Sequence, residues 1–578
     1  MTKKKESSET MPIFISRSHI STEINKTGSW RFVRPRYEDK TAPCSAACPA
    51  GEDIGRIEIL AAKGLYKEAA ETILRENPLP AVCGRVCFHP CESACNRQEF
   101  DEAVAIHCLE RFLGDVALLE EDRLCIDRFP AKGKRAAIIG SGPAGLAAGW
   151  FMTRLGFECD LFEAKSEPGG LLRWGIPRYR LPEDILEKEI KRIEKQGVTI
   201  HCETPVTNDF IEESKGRYDA IYIGCGLGRS IQMRIPGEEA ANDGLELLRR
   251  IRQEGAAPFS GTAAVIGGGN TAVDVARSLL RMGASPILVY RRRKQDMPAF
   301  MHELEMALEE GVELMELVAP IRIEAGNGEH ILTLQRMKVS EIEMSGRARV
   351  IPDGNETITL HVREIFTAIG AEAEEPWQVS MNGNDDILKL SHCSITLDDI
   401  PVVYGGDLTN SVRSVADAVA SGKQAAMALD TFFQEGWSAI EKKLDSCKVG
   451  NGHSLSMEIY TGGGRRERNL HIVSYEEINT DYFDPYPRVA SPVLSPGERI
   501  TSFAEIEYTL SEEQAAQESK RCFNCGVCNE CDNCRIFCPE LAVFCEDQRT
   551  INLEYCKGCG ICVVECPRNA MALEEENR

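Results

Sequence analysis

The apolar positions of this chain fall into short continuous runs broken by glycine turns, and two of these runs repeat one design. Ala136-Ala-Ile-Ile ends in Gly140-Ser-Gly142-Pro-Ala-Gly145 and opens an Ala/Leu helix. Thr262-Ala-Ala-Val-Ile ends in Gly267-Gly-Gly269-Asn-Thr-Ala272 and opens another. Strand, glycine turn and helix at this spacing predict two Rossmann-like α/β nucleotide-binding domains. Tyr218 to Gly224 reads as a buried strand and Ile365 to Gly370 as a strand and turn. Val402-Val-Tyr-Gly405-Gly406-Asp407 reads as a strand ending in an acid, ahead of a helix from Ser414. Strands that return after the second unit predict an insertion, with residues 256–355 lying within a domain made of 134–255 and 356–436. Upstream, 41–133 mixes amphipathic stretches (Ile54 to Leu74, and from Ile106) with cysteines and predicts an α-helical domain. Residues 1–40 carry little pattern and read as an extended arm. Residues 437–515, loop-rich with repeated proline, read as a linker wrapping the surface, and 516–578 as a small C-terminal domain.

Composition narrows the classes. A length of 578 residues exceeds what one core serves, so the chain is multidomain. A net charge of −23 argues against nucleic acid or an anionic membrane as the main partner. The N-terminal MTKKKESSETMP is basic but lacks the apolar run of a signal peptide. The longest apolar stretch, 136–152, holds four glycines and a proline and fits a Rossmann turn better than a membrane span. The expected compartment is the cytoplasm. Thiols stay reduced there, and the 24 cysteines cluster mainly at 44–108 and 522–566. Clustering points to metal.

In the first nucleotide unit Gly140 permits the tight turn, Gly142 lets a pyrophosphate approach and Gly145 lets helix and strand pack closely. Glu163, 18 residues after Gly145, is placed to hold ribose hydroxyls. Plain turn formation is the bland alternative; the favoured ligand is FAD. Its candidate contacts are Gly140, Ser141, Gly142, Pro143, Ala144 and Glu163, with Gly170 and Leu171 from a glycine- and proline-fixed loop. Gly406, Asp407 and Val415 join them from the returning strand and helix. The second unit offers Gly267, Gly268, Gly269, Asn270 and Thr271 to a nicotinamide nucleotide. Where the first unit has an acid, this one has Arg291, Arg292 and Arg293. Guanidinium groups accept a 2′-phosphate that an acid would repel, which favours NADPH over NADH; a solvated basic turn is the alternative.

The C-terminal segment holds Cys528-x2-Cys531-x2-Cys534-x3-Cys538-Pro and, 28 residues on, Cys556-x2-Cys559-x2-Cys562-x3-Cys566-Pro. Each half matches the bacterial ferredoxin run, in which the fourth cysteine ligates the other cluster. One [4Fe–4S] centre is therefore expected on Cys528, Cys531, Cys534 and Cys566, and its mate on Cys556, Cys559, Cys562 and Cys538, in a ferredoxin-type α+β domain. Zinc sites use pairs of cysteines instead. Cys83, Cys87, Cys91 and Cys95 recur every four residues. They read either as the apolar stripe of a helix or, because Gly84 and Pro90 interrupt such a helix, as ligands on short turns. Cys522 and Cys525 are surplus to the ferredoxin register, and Cys83, like the other scattered cysteines, is expected to pack as a small hydrophobe.

From Cys44 to about residue 436 the wording GSGPAGLAA, EPGGLLRWGIPRYRLP, GGGNTAVD, VYRRR and YGGDL resembles one family. Its members include the glutamate synthase small subunit, the N-terminal half of dihydropyrimidine dehydrogenase and the large subunit of ferredoxin–NADP transhydrogenase. The resemblance implies FAD in the first nucleotide domain, NAD(P)H in the second and [4Fe–4S] clusters in the helical domain. Carried over position by position, it implies one cluster on Cys48, Cys87, Cys91 and Glu110. A second cluster in that family needs an R-C-x-x-C pair, which is missing before Cys44 but present at Arg521-Cys522-Phe-Asn-Cys525. The implied set is Cys44, Cys95, Cys522 and Cys525, giving four [4Fe–4S] clusters in all. The chain is thus expected to be an NAD(P)H:acceptor oxidoreductase subunit that exchanges electrons with a ferredoxin or with a partner subunit in a hetero-oligomer, such as a 2-oxoacid oxidoreductase or formate dehydrogenase. The alternative is a glutamate synthase small subunit; a scaffold or redox sensor is a third reading. The nicotinamide domain has no C-x-x-C, as a disulfide reductase of similar build would need.

Overall fold

A computed structural model describes residues 26–576 apart from 208, 215, 327, 343–347, 375–386, 398, 465–467 and 546–548; residues 1–25 of the expected arm lie outside it. Ala136 to Ile139 form the buried part of the strand Arg135–Ile139. That strand lies inside a sheet ordered Ile387–Lys389, Cys393–Leu397, Pro401–Gly405, Ala220–Ile223, Arg135–Ile139, Glu158–Phe162, Val198–His201. The last five are parallel neighbours, and the first two add antiparallel hairpins at one edge. Two-sided burial explains why these strands read as continuous apolar runs rather than alternating ones. The helices Pro143–Arg154 and Val415–Glu435 pack together against this sheet. Gly422 permits the approach, since a Cβ there would stand 2.4 Å from the Ala144 carbonyl oxygen.

The second sheet runs Glu313–Glu316, Ala284–Tyr290, Gly261–Ile266, Glu364–Thr367, Asn242–Asp243, all parallel. It extends past both expected boundaries. Ile365 and Phe366, expected in the first domain, pair with Ala264 and Val265 instead. The chain passes from one sheet to the other through the segment around 229–243 and back after 367, and an antiparallel three-stranded sheet (Val318–Ala325, His330–Ile342, Ala348–Val362) feeds Glu364–Thr367 into the second sheet. The loop expected beside the flavin also clamps the two domains. Arg180 Nη1 donates to both carboxylate oxygens of Asp274 (3.1 and 2.8 Å) on the helix Asn270–Arg281. The Arg281 guanidinium lies 3.9 Å over the Tyr179 ring.

The N-terminal helices Ile54–Ala62, Tyr66–Glu76, Pro80–Val86 and Ile106–Leu119 bury one apolar core continuous with the first nucleotide domain. Gly84 does not interrupt its helix. Pro80–Val86 runs through it, and a Cβ there would meet the Arg111 backbone nitrogen at 2.3 Å. Glycine is used for a close helix crossing, with Gly114 matching it against Ala81 at 2.4 Å. The helix stops at Cys87, and Pro90 starts the short turn Pro90–Ser93.

Both flanking segments are more built-in than their patterns suggest. Ile440, Leu444, Leu455, Met457 and Val473, within the expected surface linker, are buried in the same core. Ser454 Oγ donates to the Cys48 carbonyl at 2.7 Å. Val33–Tyr37 of the expected arm is a strand paired antiparallel with Met571–Glu575. The helix Glu512–Arg521 packs on Ile54–Ala62, and its buried Glu518 accepts the Ala105 amide at 2.8 Å. The segments 33–37 and 571–575 are thus tied to each other, and 512–521 to the N-terminal helices.

Candidate functional site

At the first glycine turn Gly140 has φ +94° and a Cβ on Gly145 would fall 1.9 Å from the Gly140 carbonyl oxygen. Only hydrogen fits at Gly145. Gly142, by contrast, faces open space and begins the helix Pro143–Arg154 with no capping side chain. The first helical amides therefore lack side-chain partners, the condition that suits a pyrophosphate. Glu163 is buried and fixed: its Oε2 accepts from Ser141 N at 3.1 Å and its Oε1 from Lys165 N at 2.8 Å. Gly169 N donates to Ser141 Oγ at 3.0 Å, and a Cβ on Gly170 would stand 2.7 Å from Gly142 Cα. The loop carrying Gly170 and Leu171 is thus folded onto the turn. Opposite, Gly406 (φ +64°) donates its amide to Ser421 Oγ at 2.8 Å. A Cβ on Gly406 would lie 3.0 Å from Ala144 Cβ, so Gly406 and Asp407 sit beside the same turn, with Val415 opening the next helix. Burial raises the Asp407 carboxyl above its ordinary range. All eleven candidate flavin contacts lie on these joined segments, and the uncapped amides, the open face at Gly142 and the fixed carboxylate fit a dinucleotide.

The second turn is built alike. Gly267 has φ +150°, Gly269 faces open space and starts Asn270–Arg281 uncapped. Gly268 is required for a different reason: a Cβ there would meet the Tyr290 ring at 2.3 Å. Asn270 Oδ1 accepts the Phe300 amide at 2.9 Å, so that side chain fixes the adjoining loop, while Thr271 follows in the first helical turn. The arginine row divides its tasks. Arg293 Nε donates to Asp296 Oδ2 at 2.7 Å and Arg292 Nε to the Ala348 carbonyl at 2.9 Å. Arg291 is exposed and has no protein partner among the described residues.

Four groups of thiols emerge. Cys528, Cys531, Cys534 and Cys566 line one cavity. Cys538, Cys556, Cys559 and Cys562 line another. The fourth cysteine of each run has crossed to the other cavity. Among the described residues no three His, Cys, Asp or Glu side chains converge as ligands of one ion would. Thiols standing round a cavity fit a multi-iron cluster better. Backbone amides already donate to several sulfurs: Ala542 N to Cys538 (3.3 Å), Gly558 N to Cys556 (3.4 Å) and Ala570 N to Cys566 (3.4 Å).

Cys44 and Cys95 lie beside Cys522 and Cys525. Burial pushes the Cys44 thiol well above its ordinary value, and Cys95, Cys522 and Cys525 push it further. Asn524 N donates to Cys522 Sγ at 3.3 Å and Asn96 Nδ2 to Cys525 Sγ at 3.4 Å. Cys48, Cys87, Cys91 and Glu110 form the remaining group. Burial raises the Cys91 thiol well above its ordinary value, and Cys48, Cys87 and Glu110 are among the neighbours that add to this. Burial also lifts Glu110 to about 8, and Asn77 Nδ2 donates to Glu52 Oε1 (2.8 Å) and Glu110 Oε1 (3.2 Å). Burial keeps these thiols neutral in the absence of a metal, and a metal that binds them displaces their protons. Sequence reasoning missed Asn77, Asn96, Tyr37 and Arg568 around these groups, because no motif marks a neighbour that comes from another part of the chain. Cys83 is buried as expected, but beside Cys87 and Glu110.

Comparison with known proteins agrees with this geometry. Residues 134–422, half the chain, match the family model for pyridine nucleotide-disulphide oxidoreductases. The chain belongs to the pyridine nucleotide-disulphide oxidoreductase family. Within this family member, residues 37–122 match dihydropyrimidine dehydrogenase domain II, 4Fe-4S cluster, and 549–572 match the 4Fe-4S binding domain. It is 34% identical over 524 residues to the NADP(+)-dependent formate dehydrogenase subunit beta of Moorella thermoacetica, covering 84% of this chain and 70% of that one. It is 30% identical to the NADPH-Fe(3+) oxidoreductase subunit beta of Geobacter sulfurreducens, covering 85% and 76%. The NAD-dependent dihydropyrimidine dehydrogenase subunit PreT of Escherichia coli is 32% identical, covering 68% and 91%. The expected multidomain flavin, iron–sulfur oxidoreductase class holds. No helix among the described residues is long and apolar enough to cross a membrane.

Proposed function

We propose that this chain takes electrons from NADPH and delivers them one at a time, through four [4Fe–4S] clusters, to a redox partner subunit. Bound flavin supplies the two-electron to one-electron conversion and the clusters supply one-electron transfer. The chain's own residues bind and orient. The uncapped helix ends after Gly142 and Gly269 hold the two pyrophosphates, Glu163 holds ribose, and Arg291 meets the 2′-phosphate. Arg180 and Tyr179 hold the nucleotide domains together so that the two ring systems keep their alignment. Cys48, Cys87, Cys91 and Glu110 hold the first cluster, Cys44, Cys95, Cys522 and Cys525 the second, and the crossed ferredoxin sets the third and fourth.

The observation that carries this reading is the meeting of Cys522 and Cys525 with Cys44 and Cys95. It joins the flavin-bearing half to the ferredoxin-type domain through one centre. Arg568 supports the continuation: it lines the Cys528 cavity and its Nε donates to Asn524 Oδ1 at 3.4 Å, between Cys522 and Cys525. A cluster held by Cys528, Cys531, Cys534 and Cys566 would therefore be the one that adjoins the shared thiol set. A partner subunit is supported by the relatives named as beta subunits of a formate dehydrogenase and an Fe(3+) oxidoreductase. The test is anaerobic benzyl viologen reduction by the flavin- and iron-loaded chain. NADPH should drive it, and NADH more weakly. A loaded chain that reduces no viologen with either nucleotide would overturn the reading.

A further inference from the structure

The two thiol-walled cavities of the C-terminal domain differ in what else faces them, and the difference comes from the N-terminal strand. Val33–Tyr37 pairs with Met571–Glu575 in the register Pro35↔Leu573 and Tyr37↔Met571. Residues two apart on a strand share a face. Pro35 lines the cavity of Cys538, Cys556, Cys559 and Cys562, and brings no hydrogen-bond donor. Tyr37 lines the cavity of Cys528, Cys531, Cys534 and Cys566, and its hydroxyl lies 3.2 Å from Cys534 Sγ. The cations differ as well. Lys557 beside the first cavity is paired with Glu540 at 2.5 Å. Beside the second, Arg549 is paired with Asp532 at 2.5 Å, but Arg568 has no carboxylate partner among the described residues.

We propose that Tyr37 tunes the Cys528/Cys531/Cys534/Cys566 centre, raising its reduction potential above the value it would have without the hydroxyl. The inference rests on reading both cavities as cluster sites. Reduction adds one electron, and so one negative charge, to the cluster with its thiolates; no bond breaks and no proton has to move. A thiolate ligand has no hydrogen to give, so the Tyr37 hydroxyl is the donor. A donor to sulfur stabilises the more negative state and raises the potential. The strand is paired along its whole length with Met571–Glu575, and Arg31 just ahead of it pairs with Glu576 at 2.7 Å. Tyr37 is a positioning residue, acting through Cys534.

The test is an EPR-monitored redox titration of the iron-loaded full chain, reduced with dithionite. Cys534→Ala comes first: loss of iron and of one signal identifies that centre. If iron and all signals survive Cys534→Ala, the cluster reading itself fails and this inference falls with it. Tyr37→Phe keeps the ring and removes only the hydroxyl. It should make reduction of the identified centre about tenfold less favourable, a shift of ~59 mV for one electron, with iron content unchanged and the other signals in place. Tyr218→Phe, which removes a hydroxyl donating to Asp160 in the first nucleotide-domain sheet, should move nothing. If Tyr37→Phe retains its iron but leaves that potential where it was, or shifts both C-terminal centres equally, the tuning role is overturned while the cluster reading stands.

Discussion

Arg291 shows what a single side chain decides here. Of the three arginines that follow the strand Ala284–Tyr290, Arg293 is committed to Asp296 and Arg292 to a backbone carbonyl, which leaves Arg291 for a ligand. A charge-assisted hydrogen bond to a phosphate is worth about 1.5–3 kcal/mol. Arg291→Ala should therefore raise KM for NADPH by about ten- to hundred-fold and leave KM for NADH nearly unchanged. Steady-state kinetics with both nucleotides checks this, and an equal effect on the two would remove Arg291 from 2′-phosphate recognition. The glycines were legible one by one because their roles are local: Gly140 needs its left-handed turn and Gly145 its missing Cβ. Arg293 and Gly268 were not. Whether a guanidinium is free depends on an acid such as Asp296 folding back, and Gly268 is fixed by the Tyr290 ring from the neighbouring strand.

At the scale of elements, the same contrast decides which boundaries could be foreseen. The strand Gly261–Ile266 and the helix after it follow from a continuous apolar run and a glycine turn. Glu364–Thr367 carries an equally apolar run, but no periodicity says which of two parallel sheets it will join. Gly84 reads as a break on propensity alone, since glycine costs a helix about 1 kcal/mol; the crossing helix with Arg111 at its centre overrides that cost. The cysteine pairs show the reverse. Spacing alone predicts the crossed grouping of the ferredoxin-type cysteines that share each cavity wall, whereas Cys522 and Cys525 depend on the helix Glu512–Arg521 docking on Ile54–Ala62 and bringing them beside Cys44 and Cys95. If that delivery builds a cluster, Cys522→Ala/Cys525→Ala should lose about four irons per chain. Iron quantification of the anaerobically purified variant reads it directly, and an iron content equal to wild type would remove the shared centre.

For the whole molecule, the consequence is a closed arrangement in which sequence order and spatial order differ. The stretch before Cys44 lies on the C-terminal domain as the strand Val33–Tyr37, and residues beyond 511 return to the N-terminal helices. Between them, Ile440, Leu444, Leu455, Met457, Val473 and Ile478 bury their side chains in the core. Such an arrangement brings Cys522 and Cys525 beside Cys44 and Cys95 and packs the C-terminal domain onto the N-terminal helices. The net charge of −23 leaves recognition of a partner to local features rather than to bulk attraction of an anionic surface. The central claim is that one nucleotide-driven flavin feeds every iron centre in this chain. It is tested most directly by mixing the anaerobically isolated chain with NADPH and recording flavin absorbance and iron EPR together. Flavin bleaching followed by reduced cluster signals is the expected result. A chain isolated without flavin, or iron that stays oxidised after both NADPH and NADH, would contradict it.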